Sequence, residues 1–365
     1  VQRTRGRVVD VTTLEELDRR LAHGAHDMGG WRLVRLDLTD RVDQLLRGSV
    51  AQALFLGCTF ADGDADAVRR AGGVVLPTIP HTPVDPYRAE LYSPRELYDT
   101  PHYRDSLDAR AYAWSKMPND TDDALAMTLH DHAIDEALTA WVAGRSIVGV
   151  MGGHALERGS EAYADAARLG HELGGHLTVA TGGGPGAMEA ANLGAFLPAD
   201  LDAALAELSQ VPSFRPDIGA WARAAFGVLD TVEDGRESLG IPTWHYGHEP
   251  PNPFATSIAK YFRNATRESI LLEVCNAGIV FLPGAGGTVQ EIFQDACENY
   301  YADETSLAPM VLVGRRHWTE ELPAWPLLEA MARGRAMEPH VHLVDSLEEV
   351  GEVLSRPADD WTRVR

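Results

Sequence analysis

"HLTVATGGGPGAMEAANLGAF", residues 176–196, reads as a short apolar strand, four glycines within five residues, and then a helix. The same rhythm extends in both directions. Upstream, "SIVGVMGG" (146–153) is a buried-strand run ending on two glycines, and "SEAYADAARLGHELGG" (160–175) is an amphipathic helix with a glycine stop. Downstream, "GIVFLPGAGGT" (278–288) is another strand and glycine loop, followed by the helix "VQEIFQDACENYY" (289–301). "APMVLVG" (308–314) and "HVHLVDS" (340–346) complete the strand set. Strand–helix alternation of this kind builds a parallel sheet with crossover helices on both faces, so the fold class expected is α/β and Rossmann-like.

The rest of the chain is arranged around that core. Residues 1–120 read as a smaller N-terminal α/β module, with strands at "AQALFLGC" (51–58) and "GVVLPTI" (73–79) and the helix "DADAVRRAG" (64–72) between them. A Pro- and Tyr-rich connector follows. Residues 121–365 form the main domain, opening on a helix over 120–144. Residues 197–235 read as a helical insertion able to cover a site, and "SIAKYFRNATRESILLEVCNA" (257–277) as one helix.

Composition limits the functions open to the chain. Its 365 residues carry 32 basic against 54 acidic side chains, a net charge of −22. That argues against nucleic-acid binding and against adsorption to anionic membranes, but leaves a small anionic ligand possible. No apolar run is long enough for a membrane span, and the N-terminus shows no secretory pattern, so a cytoplasmic protein is expected. Three scattered cysteines, Cys58, Cys275 and Cys297, suit a reducing compartment and are expected to be small buried hydrophobes. No metal-ligand spacing is visible: His130 and His132 lie on different helix faces, and a His245–His248 zinc pair is only conceivable.

Chemistry is expected at the carboxyl ends of the strands, where ligands bind open parallel sheets. Three glycine loops fall there: Gly152–Gly153 with His154 after them, Gly183, Gly184 and Gly186 ahead of Glu189, and Gly284, Gly286 and Gly287 ahead of Thr288. Glycine lets the backbone approach an anion, and a helix N-terminus supplies unpaired N–H groups. The dinucleotide fingerprint G-x-G-x-x-G is not met, and the phosphate-loop lysine of ATPases is missing. Glu189 is either a second acid of the site or a first-turn helix acid.

"GGGPGAMEAAN" and "PGAGGTVQE" together resemble the paired signatures of the Lonely Guy (LOG) family of nucleoside 5′-monophosphate phosphoribohydrolases. With "EPPNP" and an arginine upstream, the likeness is to the larger bacterial nucleotide 5′-monophosphate nucleosidases, over residues 145–345. The resemblance implies a modified Rossmann fold and cleavage of the N-glycosidic bond to free base and ribose 5-phosphate. It puts the phosphate on Gly284, Gly286, Gly287 and Thr288, and the catalytic pair on Glu291 and Arg267, with Arg263 one turn earlier as a substitute. The family has two consecutive glycines after the proline, whereas this chain has Gly284–Ala285 and places the next glycine at 286. No cofactor and no metal are implied, and a homodimer or higher homo-oligomer is.

The chemistry supports the same residues independently. An oxocarbenium-like sugar needs a carboxylate near the ribose, and a phosphate anchor fixes the reacting centre. A planar guanidinium at Arg267 suits phosphate or sugar oxygens. Trp244 or Tyr246 offers a surface for stacking a base. Wide apolar coverage of residues 258–274 also suggests a partner subunit. The alternative class is a Rossmann carrier or sensor holding a nucleotide or molybdenum cofactor without turnover. Pyridoxal-phosphate chemistry needs a Schiff-base lysine; the only lysines, Lys116 and Lys260, adjoin no glycine loop.

Overall fold

The structure is a computed structural model that describes residues 9–117, 121–246, 249–304 and 306–354. Two compact units emerge: Val1–Ala89 with Asn119–Ala133, and Glu90–Pro118 with Ile134–Arg365.

The first unit carries a four-stranded parallel sheet in the order β1 (Val9–Val11), β2 (Trp31–Val34), β3 (Leu54–Leu56), β4 (Val74–Leu76). Leu17, Trp31, Leu33, Leu45, Phe55 and Val68 fill its core. Two of these strands and the helix between them were read from sequence. β1, β2 and the helix Leu14–Ala22 were not, because strands of three or four residues leave almost no periodicity to read. The separate faces of His130 and His132 are as expected: His130 is buried and His132 exposed.

The second unit is built on a seven-stranded, wholly parallel sheet: β5 (Ile147–Met151), β6 (Thr178–Thr181), β7 (Ser238–Gly240), β8 (Ser257–Ile258), β9 (Ile279–Phe281), β10 (Met310–Val313) and β11 (Val341–Val344). Their spatial order is β11-β10-β9-β5-β6-β7-β8. The chain therefore winds outward from β5 through β6 to β8, then returns to β5's other side and winds out through β9 to β11. β5 and β9 flank the switch point, the position where a crevice opens in such sheets. All five residues of β5 and all three of β9 are buried, as strands covered on both faces must be. Helix Glu161–Leu173 packs on helix Ala187–Phe196 so closely that a side chain at Gly194 would meet the carbonyl of Ala167.

Three expectations about elements are corrected. Residues 257–277 are not one helix: Ser257–Ile258 is the edge strand β8, pairing with Leu239 and Gly240, and the helix runs only Asn264–Glu273. Sheet pairing overrides local helical patterning there. Consequently Ile258, Tyr261, Phe262, Leu271 and Leu272 are buried within their own chain, and the apolar surplus over 258–274 does not by itself call for a partner. Secondly, the proline-rich connector contains a helical turn, Pro94–Leu97, with Ser93 capping Glu96 N and Pro94 at its first position, where a proline is tolerated. Thirdly, Cys275 is buried as expected, but Cys58 is half-buried and Cys297 exposed, and all three are free. The two helices expected in 197–235 are present, at Leu201–Leu208 and Ile218–Leu229. No helix among the described residues is long and apolar enough to cross a membrane.

Candidate functional site

The three glycine loops leave the carboxyl ends of β6, β5 and β9, which are three adjacent strands. They therefore converge. Gly153 N donates to the Pro283 carbonyl at 3.3 Å, and Leu282 N to the Met151 carbonyl at 2.8 Å. Gly186 has φ +73°, and a side chain there would meet the Gly153 carbonyl at 2.6 Å, so only glycine lets the β5 and β6 loops touch.

Asn252, from "EPPNP", locks the β6 loop. Its backbone N–H donates to the Gly183 carbonyl at 2.9 Å and its Nδ2 to the Gly184 carbonyl at 3.1 Å. Nδ2 also donates to Asn192 Oδ1 at 3.0 Å, which in turn accepts from Thr181 Oγ1 at 2.7 Å. Every member is buried and paired, and such a network rigidifies what it holds.

The helix after β9 starts at Gly286 rather than Val289, which places Glu291 one turn inside it. Its N-cap, Ala285, has no side chain that could bond the first amides, so among the described residues no side-chain cap satisfies the opening turn. Gly284 is required by the fold, because a Cβ there would overlap Thr288 Oγ1. Gly286 and Gly287 are different: both are exposed, and an added Cβ would meet nothing within 4 Å. Glycine costs a helix about 1 kcal/mol relative to alanine, and packing does not explain two of them here. His317, just after β10, buttresses this loop through its Nε2, 3.1 Å from the Gly284 carbonyl.

Arg267 and Glu291 stand across from each other on helices Asn264–Glu273 and Gly286–Tyr301, Nη1 to Oε1 3.9 Å. Their side chains are only 12% and 17% exposed. The guanidinium also reaches the β6 loop, where its Nη2 lies 3.6 Å from the Cβ position of Gly182. Arg267 Nε is buried without a hydrogen-bond partner. Burial pushes the Glu291 carboxyl up to about 7, against the pull of Arg267 and with a further push from Glu268. A carboxyl poised near neutrality can take or give a proton at physiological pH.

Glu189 sits elsewhere. Its carboxylate, 1% exposed, is clamped by Arg158, whose Nε lies 3.1 and 3.2 Å from its two oxygens. Arg158 stacks over Trp221 at 4.7 Å and donates to the Trp221 carbonyl, so Glu189 fastens helix Ile218–Leu229 to the rest of the unit. His154 is 56% exposed, with Nδ1 3.8 Å from Glu249 Oε1. Together with Gly186, Phe214, Arg215 and Trp221 it lines a cleft of about 190 Å³. Lys260 is buried in an ion pair with Asp108 at 2.6 Å, and burial lowers its pKa. Trp244 is also buried, donating to Asp108 at 2.8 Å, which leaves Tyr246 as the accessible aromatic of that loop. His248 lies outside the described residues, and among those described no three His, Cys, Asp or Glu side chains gather to hold a metal.

No protein-family model matches the chain, and no curated protein matches it. Among solved structures it is similar to the molybdenum cofactor binding protein from the phototrophic bacterium Rippkaea orientalis. That likeness has 18% identity and a TM-score of 0.36, over 58% of this chain and 96% of the other. It is similar also to the molybdenum cofactor carrier protein of Chlamydomonas reinhardtii, in two structures. These have 17% and 18% identity and TM-scores of 0.34 and 0.35, each over 58% of this chain and 99% or 98% of the other.

Sequence reasoning singled out the loops and the Arg267–Glu291 pair but passed over His317, Glu268 and the buttressing role of Asn252. His317 had one usable signal, its place in "GRRHW" directly after a strand end. Glu268 had none, being indistinguishable in sequence from any helix acid beside an arginine.

Proposed function

We propose that the crevice binds a nucleoside 5′-monophosphate and hydrolyses its N-glycosidic bond. One observation carries this reading: the Arg267 and Glu291 side chains are largely buried, stand 3.9 Å apart, and leave Arg267 Nε inside the protein without a hydrogen-bond partner. A charged pair held so, with a donor left unpaired, is expensive unless a ligand completes it.

In this reading the phosphate caps the helix at Gly286, Gly287 and Thr288, where amides and dipole favour an anion. Arg267 bonds phosphate or ribose oxygens through its planar fork. Glu291 then lies beside the sugar. As the C1′–N bond lengthens, its electron pair leaves with the base and positive charge grows on the ribose, which the carboxylate stabilises. Water adds at C1′ and gives one proton to Glu291, which releases it by way of solvent to the departing base nitrogen, so that the carboxylate is restored. The products are free base and ribose 5-phosphate.

The test is incubation with a panel of purine and pyrimidine nucleoside monophosphates, with free base detected by chromatography. Release of base from at least one is expected. Binding without release from any would overturn hydrolysis in favour of a carrier.

A further inference from the structure

Tyr246 is 48% exposed, yet its hydroxyl is turned inward and fixed. It accepts from Asn264 Nδ2 at 2.9 Å and donates to Glu268 Oε1 at 3.3 Å. Asn264 Nδ2 also donates to Glu268 Oε1 at 2.6 Å, and Gln290 Nε2 donates to Glu268 Oε2. Glu268 is itself 8% exposed, so this is a built cluster rather than a chance surface contact.

Its position in the chain gives it meaning. Glu268 follows Arg267 and Gln290 precedes Glu291. One buried carboxylate therefore ties together the neighbours of both members of the pair and holds the Tyr246 ring beside them. A half-exposed phenol ring, anchored at its polar end and touched on its body by the His245 ring edge-on at 5.3 Å, is an arrangement in which an aromatic side chain can receive a flat partner. Such a surface has one use next to a sugar-cleaving pair, because the only flat apolar part of a nucleotide is the base attached at C1′. Stacking of a base on an aromatic ring is worth roughly 1–3 kcal/mol and tolerates any base.

We infer that Tyr246, tethered through Asn264 and Glu268, is the platform on which the nucleobase stacks. It makes the site selective for phosphoribosyl compounds with aromatic bases while discriminating weakly among them. The inference rests on the reading of the crevice as a nucleotide site.

The experiment compares AMP with ribose 5-phosphate, which lacks the base, by stopped-flow binding measurements completed before turnover, on the full chain, Tyr246→Ala and Tyr246→Phe. Wild type should bind AMP more tightly. Tyr246→Ala should weaken AMP about tenfold or more and leave ribose 5-phosphate within about twofold, whereas Tyr246→Phe should keep most of the AMP affinity. Parallel loss for both ligands would mean that Tyr246 only supports the local fold, and an unchanged AMP affinity would mean that the base lies elsewhere. Either result overturns the inference and leaves the nucleotide reading standing. Failure of wild type to bind either ligand removes both.

Discussion

Replacing Glu291 by glutamine should make the protein more stable and less active, with a pH dependence that identifies the cause. Burial raises the folded-state pKa of Glu291 from 4.5 to about 7. The stability tied to that proton is fully present below 4.5 and is lost as pH rises through about 7, because ionisation is easier in the unfolded chain. At ~1.4 kcal/mol for each tenfold change in proton affinity, the ionised carboxylate costs the fold ~3 kcal/mol above pH 8. Attraction to Arg267 is already contained in that figure, since it helps set the value. Asp295, also raised by burial, is present in both proteins and cancels in the difference. Urea unfolding of wild type and Glu291→Gln at pH 5 and pH 8.5 reads the effect: under ~1 kcal/mol in favour of glutamine at pH 5, rising to ~3 kcal/mol at pH 8.5. Base release should fall on the order of a hundredfold or more in the variant. In wild type, kcat/KM should drop tenfold per pH unit below about 7, because the ionised form is the one that stabilises the sugar cation. Equal stability of the two proteins at pH 8.5 would show that Glu291 is a well-accommodated helix acid, and near-normal turnover would show that it has no part in the chemistry.

Gly287→Ala should raise stability by ~0.5–1 kcal/mol, since nothing opposes its methyl group; the same change should weaken nucleotide binding, and an unaltered Kd would take the phosphate away from this turn. Adenosine should be a far poorer substrate than AMP, as each charge-assisted bond to phosphate contributes roughly 1.5–3 kcal/mol; comparable rates would mean the "PGAGGT" loop holds no phosphate. Light scattering on a sizing column should give a mass of at least two chains, and a fully active species near 39.7 kDa would exclude a site shared between subunits.

The parallel sheet was legible because several of its strands are near-continuous apolar runs ended by glycine, as in "SIVGVMGG" and "HLTVATGGG". The loops were legible for the same reason, and "PGAGGTVQE" placed Glu291 near a helix start. β8 was not legible, because two residues of edge strand embedded in "SIAKYFRNATRESILLE" carry no pattern stronger than the helix around them. Nor was the fate of Glu189: its place at a helix start beside glycines is that of a ligand-facing acid, and only the fold brings Arg158, 31 residues away, onto it. Lys260 and Trp244 illustrate the converse, polar-capable residues from a loop that tertiary packing draws inside against Asp108.

Asn252 has a consequence for how the molecule folds. Its side chain holds Gly184 from 68 residues away and Asn192 from 60, so the β6 loop cannot reach its final shape until β7 and the segment leading to β8 have docked. The loop after β9 adds a still longer requirement. Contacts of such high sequence separation form late and slow the search for the native state. Binding competence should therefore appear only with the last step of refolding, and a ligand, by mass action on the completed crevice alone, should protect amide hydrogens across the whole sheet from β11 to β8 rather than those of the loops it touches.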